Sequence, residues 1–449
     1  MVAALRPKAR PPRTYQFPKF HSETLTGGIR LLVAPVDKLP IVTVLVVIDT
    51  GSSNDPSGKE GIARLTAKAL LEGSRNYDGA ELAERFEQLG TSLEAGADWD
   101  STVVKITVLS ERLEPALRLL GEVLTTPVFP EREVERLKAE RLAEILQIET
   151  EPRALADERF ESFLYAEASR YSKPDGGTAR SVADLTRGDV EDFYRSLFVS
   201  GATTVILTGD IDPDAARKLV ESSLHGLPAG TPTRQALVVA PRSNTRNVHI
   251  VSKTGAPQSE LRVGHIGLPR KHPDFFSTMV MNAVLGGLFG SRINLNLREA
   301  HGYTYGASSY YDWRRAPGPF AVATAVASDV TALALREIFL EIDRIRQQEI
   351  SAEELSLATD YLEGVFPIRY ETTSAVATAL ANLVIHDLPA DYYDSYRRNI
   401  HGVTIGAVLT AAKAHLHPDK LQTVVVGDAA LISGALGELG AGPVSVHDA

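Results

Sequence analysis

Arg298 and Tyr305 stand seven positions apart on either side of a His301-Gly302 turn, inside the stretch LGGLFGSRINLNLREAHGYTYGASS at residues 285–309. A guanidinium is a fixed fork of donors and a phenol is a further donor. Folded back across a tight turn, the two can point at one spot and grip a peptide carbonyl or carboxylate. The stretch opens on Gly286 and Gly287, followed by Phe289 and Gly290. Glycines let the chain bend and let another backbone approach closely, so Gly286, Gly287 and Phe289 read as a flexible loop beside the gripped group. Ile293, Leu295 and Leu297 then interleave with Asn294, Asn296 and Arg298, and residues 303–309 read as a short β run. Taken singly, these residues have plainer readings: an Arg paired to a carboxylate, a core Tyr, and a glycine stop at a helix end.

The elements around this stretch follow from periodicity. Residues 29–34 and 41–49 read as strands, the second rich in Val and Ile like a buried strand. Residues 59–73 read as a helix with Ile62, Leu65 and Ala69 on one face, Ser57 as its N-cap and Gly73 as its stop. Further helices are expected at 79–89, 112–124, 131–149, 153–166 and 185–198, and strands at 102–109 and 203–208. The order then repeats. TRGDVEDFYRSLFVSGATTVILTGD at 186–210 and TIGAVLTAAKAHLHPDKLQTVVVGD at 404–428 share a Thr-led helix, a Val-rich strand and a closing Gly-Asp, at an offset of 218 residues. A period near half the chain length is duplication of a whole domain. The expected fold is α+β: two similar domains, each a mostly antiparallel β-sheet covered by helices. The expected divisions are an N-terminal arm (1–27), a first domain (28–225), a Pro- and Gly-rich linker (226–246) and a second domain (247–449).

The frame LGG-x-FGSR-x(4)-LRE-x-x-G-Y-x-Y resembles the second-domain signature of the pitrilysin/insulinase-like metallopeptidases, the inverzincins that include the mitochondrial processing peptidase. The resemblance runs from about residue 28 to the end. It implies that Arg298 and Tyr305, with Gly286, Gly287 and Phe289, contact substrate, and that the two domains form half of a clamshell. Catalytic members carry H-x-x-E-H on a first-domain helix. Two His bind zinc, Glu is the general base, and a Glu from a later helix completes the site. The aligned segment here is GKEGIARLTAK at 58–68. Arg64 and Lys68 hold the two His positions, Ala67 holds the base position, and Glu144 stands where the third ligand would be. Two fixed cations offer no lone pair to a metal, and alanine takes no proton. Arg64, Lys68 and Glu144 are expected either to pair with one another in place of the metal or to be ordinary helix-surface charges.

Elsewhere the chain offers little chemistry. Its eleven histidines make no zinc motif, and His415-x-His417 reads as a solvated helix terminus. No P-loop, Gly-x-Ser-x-Gly or dinucleotide fingerprint is present. There is no cysteine, hence no disulfide or thiolate site. A net charge of −10 disfavours nucleic acid as a partner, and the longest apolar run, 41–48, is too short to span a membrane. Residues 1–20, which carry Arg6, Lys8, Arg10 and Arg13 and no apolar core segment, read as a flexible arm. The expectation is a non-catalytic, substrate-binding subunit of a heterodimeric zinc endopeptidase. It would hold no cofactor of its own, with zinc in an H-x-x-E-H-bearing partner and unfolded peptides as substrate. The resemblance suggests the periplasm, with the cytoplasm as the alternative. A scaffold without peptidase work and a stand-alone peptide-binding protein are the rival expectations.

Overall fold

The computed structural model describes residues 15–231 and 237–448. The strands of the first half are β1 (His21–Thr24), β2 (Arg30–Pro35), β3 (Ile41–Ile48), β4 (Glu94–Ala97), β5 (Thr102–Leu109) and β6 (Thr203–Gly209). They form a six-stranded sheet in the order β1-β2-β6-β3-β5-β4, antiparallel except where β2 runs alongside β6. The second half repeats this with β7 (Asn247–Ser252), β8 (Gln258–Ile266), β9 (Ala307–Tyr311), β10 (Pro319–Ala327), β11 (Gln422–Gly427) and β12 (Val444–Asp448). Their order is β12-β7-β11-β8-β10-β9. The expected duplication is therefore visible strand by strand. Thr186 and Thr404 cap equivalent helices, each side chain accepting a backbone N–H three residues on. The halves differ at one edge. There β1, from the N-terminal side, pairs antiparallel with β2, whereas β12, from the C-terminal side, pairs parallel with β7.

Strand β3 is buried along almost its whole length, so both faces of the sheet must be covered. Leu31, Val33, Val44, Val46, Val205 and Leu207 face the helices of their own half. The alternate positions Leu32, Ala34, Leu45, Val47 and Ile206 join the core of the second half. Their cover is the helix Thr373–Ile385, which belongs to the second half in sequence and packs on β3 and β6. The helix Pro152–Leu164 does the reverse. Its Leu155, Ala156, Phe160 and Phe163 pack with Val251, Ala321, Val424 and Val426 of the second sheet. Each half thus lends a helix to the other. Polar bonds fasten the exchange: Thr208 Oγ1 donates to Thr373 O at 2.7 Å, Arg315 pairs with Asp49 at 2.6 Å, and Tyr165 donates its hydroxyl to Pro317 O at 3.1 Å.

Three sequence expectations change here. The arm expected to residue 27 lies partly outside the described residues, and from Tyr15 onward it is tied down. Tyr15 donates its hydroxyl to Tyr370 O at 2.9 Å, Phe17 stacks on Tyr393 at 4.5 Å, and residues 21–24 add a strand. Two aromatic rings placed against an aromatic pocket outweigh the basic composition of the preceding residues. The linker 226–246 is described except for 232–236. Either side of that gap it runs along the first half, with Ser200 N and Ala166 N donating to Pro228 O and Ala240 O. Finally, the helix placed at 59–73 is Ile62–Ala69 followed by a tighter turn, and its N-cap is Gly61 rather than Ser57. The buried carboxylate of Asp55 accepts from Gly61 N at 2.7 Å and Ala63 N at 3.1 Å, taking over the capping.

Candidate functional site

The stretch 285–309 is a helix–turn–strand unit. The helix Phe275–Asn282 runs into a π-helical turn, Ala283–Gly287. After a short bend the chain is helical again from Arg292 to Ala300, turns at Gly302 with φ +67°, and enters β9. Gly286 and Gly287 therefore do not form the expected flexible loop. A Cβ on Gly286 would stand 2.6 Å from Ser309 N, so glycine is what lets this turn lie against β9. The β run expected at 303–309 begins only at Ala307. Thr304 and Gly306 bond one another in a turn before it, Gly306 N donating to Thr304 Oγ1 at 3.1 Å. Asn294 ties the unit together, accepting from Ala307 N at 3.0 Å and donating to Phe289 O at 2.7 Å.

This unit walls an open cavity of about 610 Å³. Gly286, Gly287, Phe289 and Tyr305 all line it. Tyr305 is 95% exposed and Phe289 71%, so two aromatic rings stand free at the rim. Arg298 is not part of the lining. Its guanidinium carbon lies 4.6 Å over the Phe289 ring, and its Nε is 3.5 Å from Glu299. The guanidinium thus lies against the Phe289 ring, and of the expected pair only the phenol lines the cavity. The cavity also has polar lining residues that the sequence reading passed over, Arg153, Glu260 and Arg262. Arg262 is 2% exposed and is held by Asp157 at 2.5 Å and Glu260 at 3.1 Å. An arginine between Leu261 and Val263, with Glu260 beside it, was the available signal, since a buried guanidinium must be paired.

At the first-half position, Ala67 is fully buried, while the side chains of Arg64 and Lys68 are about two-fifths exposed. Lys68 Nζ lies 3.3 Å from Glu144 Oε1, as expected, and Arg141 Nη1 reaches the other carboxylate oxygen at 3.2 Å. Arg64 takes no part in this pairing and bonds instead to Asp175 at 3.0 Å. The expected trio is therefore corrected to Lys68–Glu144–Arg141, with Arg64–Asp175 beside it. The long arginine arm reaches Asp175, in the segment beside the start of the helix, and leaves the Glu144 carboxylate to Lys68 and Arg141. Burial pulls the Glu144 carboxyl upward. Its bond to Arg141 and the charge of Lys68 outweigh that, leaving it below its ordinary pKa and ionised. A zinc ion does not fit this donor set. Ammonium and guanidinium groups offer no lone pair, and the one suitable carboxylate has both oxygens occupied by cations.

Residues 32–173 match the family model described as insulinase (peptidase family M16), and residues 184–362 match the one described as the peptidase M16 inactive domain. The chain belongs to the M16 peptidase family. A non-peptidase homologue from Helicobacter pylori is 23% identical over 415 residues, covering 91% of this chain and 94% of that protein. An uncharacterized zinc protease from Streptomyces coelicolor is 23% identical over 359 residues, covering 79% and 78% of the two. Among solved structures, a peptidase M16 inactive domain from Pseudomonas fluorescens matches with a TM-score of 0.86 at 26% identity, covering 91% of this chain and 98% of that one. A protease from Helicobacter pylori shares the fold, with a TM-score of 0.85 at 19% identity over 92% of this chain and 100% of that one. These matches make the chain a non-catalytic M16 member. Among the described residues, no helix is long and apolar enough to cross a membrane.

Proposed function

We propose that this M16 chain is the substrate-holding subunit of a heterodimeric zinc endopeptidase and is inactive alone. The observation that carries the proposal is Tyr305, 95% exposed in the lining of a cavity whose wall also presents Phe289, with Arg298 against its ring. Tyr305 and Phe289 are both exposed in the lining of one cavity, and exposed aromatics gathered at a cavity suit a ligand-binding surface. The partner would be a homologue with an intact H-x-x-E-H, and the two would close around an unfolded peptide. A peptide can add as a strand to a free sheet edge, held by main-chain bonds that ask little of its sequence. Here β9 is such an edge, directly beside Tyr305. The partner's zinc would supply Lewis acidity and an activated water. This chain's Arg298 and Tyr305 would orient the peptide carbonyl by donating to it.

The experiment is co-purification with the H-x-x-E-H homologue followed by steady-state kinetics. Tyr305→Phe and Arg298→Ala are expected to lower turnover about tenfold or more while the complex still assembles. Unchanged kinetics in both variants would return the pair to a structural role and favour the scaffold.

A further inference from the structure

We infer that His272, Asp274 and His415 form a divalent transition-metal site in the second half, with zinc as the metal whose chemistry it fits. The proposal is independent of the peptidase-subunit reading, and it departs from the expectation of a metal-free chain.

His272 lies in the loop after β8, Asp274 immediately precedes the helix Phe275–Asn282, and His415 ends the helix Ile405–His415. These two helices pack against each other, which brings together residues 141 positions apart. One ligand atom from each residue lies within 4.8 Å of the other two, the only such group of three among the described residues. His415 is therefore not the solvated helix end expected from the H-x-H tract. Its side chain is 12% exposed and its Nε2 meets Asp274 Oδ2 at 2.7 Å. His417 turns the other way, its backbone N–H donating to His265 Nε2 at 3.2 Å.

Two imidazoles and one carboxylate are a donor set for a borderline-soft divalent ion, with water completing a tetrahedron. The Asp274 carboxylate is half exposed, which gives both entry and room for that water. The three ligands sit on fixed backbone. Pro273 locks the link between His272 and Asp274, and Asp274 O accepts from Thr278 N at 2.9 Å. The neighbouring cation, Lys271, is drawn away to Asp387. Bonds of about 2.0–2.2 Å would hold the ligand atoms about 3.3 Å apart. Binding therefore opens the His415–Asp274 hydrogen bond by roughly half an ångström and draws His272 inward. Asp274 N now donates to His272 Nδ1 at 3.1 Å. That bond is given up whichever ring nitrogen ligates, because ligation by Nε2 leaves the ring proton on Nδ1, and the His415–Asp274 bond opens as well, so two hydrogen bonds are exchanged for three metal–ligand bonds. The ion would staple the two helices at the surface end of their packing.

The test uses the full chain without a polyhistidine tag, stripped with EDTA and titrated with Zn²⁺ by calorimetry and thermal unfolding, with Mg²⁺ as control. The expected result is one equivalent of Zn²⁺ with a zinc-linked rise in Tm, no response to Mg²⁺, and a visible tetrahedral absorption band when Co²⁺ is used. His272→Ala lies in a loop and leaves the fold intact in EDTA; it should abolish the Co²⁺ band and weaken zinc about tenfold or more, as should Asp274→Asn. No stoichiometric zinc in the unaltered chain, or zinc binding unchanged in His272→Ala and Asp274→Asn, overturns the proposal.

Discussion

Glu144 is the residue on which the proposed loss of a metal site turns. Its two oxygens accept from Lys68 and Arg141; in the proposed function they stand where a hydrolytic relative would offer a carboxylate to zinc. All three side chains reach solvent, so the pairing is worth little. Glu144→Ala should cost about 1 kcal/mol or less, measured by urea unfolding. A loss of about 3 kcal/mol or more would mean that the charges act as a buried network holding the helices together. The pairing of Lys68 with Glu144 was legible from helical spacing and the family frame. Asp175 as the partner of Arg64 was not, because it lies 111 positions away on a segment with no periodic signal. Tyr305 and Phe289 were legible as a motif, but their exposure was not, since an aromatic residue in sequence reads equally well as core.

Among the elements, the π-helical turn at Ala283–Gly287 leaves no room for a side chain at Gly286. Gly286→Ala would push a methyl group into Ser309, whose backbone N lies 2.6 Å from the added carbon and whose Oγ lies 2.5 Å from it. The expected cost is about 1–3 kcal/mol in thermal or denaturant unfolding, and an unchanged midpoint would show that β9 can retreat. The strands and most helices were legible because their apolar periods are strong. The exchange of helices Pro152–Leu164 and Thr373–Ile385 between halves was not, because a helix pattern shows which face is apolar but not which sheet will cover it. That exchange carries a pH dependence. His249 in β7 stacks on Phe163 of the lent helix at 4.0 Å, and burial holds its pKa down to about 4, against an ordinary 6.5. The unfolded chain then binds a proton that the folded chain refuses. Stability is full above pH 6.5 and falls as the pH drops toward 4, by on the order of 2 kcal/mol for this group. Buried His265, held to about 3, adds to the same slope. His249→Phe keeps the stack without a titrating nitrogen and should flatten the decline between pH 6.5 and 4; an unaltered slope would assign it to other groups.

For the whole molecule, the duplication was legible in the ungapped 186–210 and 404–428 repeat, and the two matching sheets follow from it. What the repeat could not show is that the halves differ locally. One places Lys68 and Arg141 on Glu144, while the other has an open cavity with an exposed tyrosine in its lining. Under the proposed function the pure chain should leave an unfolded peptide intact and the pair reconstituted with an H-x-x-E-H homologue should cleave it; EDTA-sensitive cleavage by the pure chain would contradict that proposal. The most direct measurement is anomalous scattering at the zinc edge from crystals of the zinc-loaded chain. The account predicts no peak within bonding distance of Glu144, with Lys68 and Arg141 still on its oxygens. A zinc peak coordinated by Glu144 would contradict it.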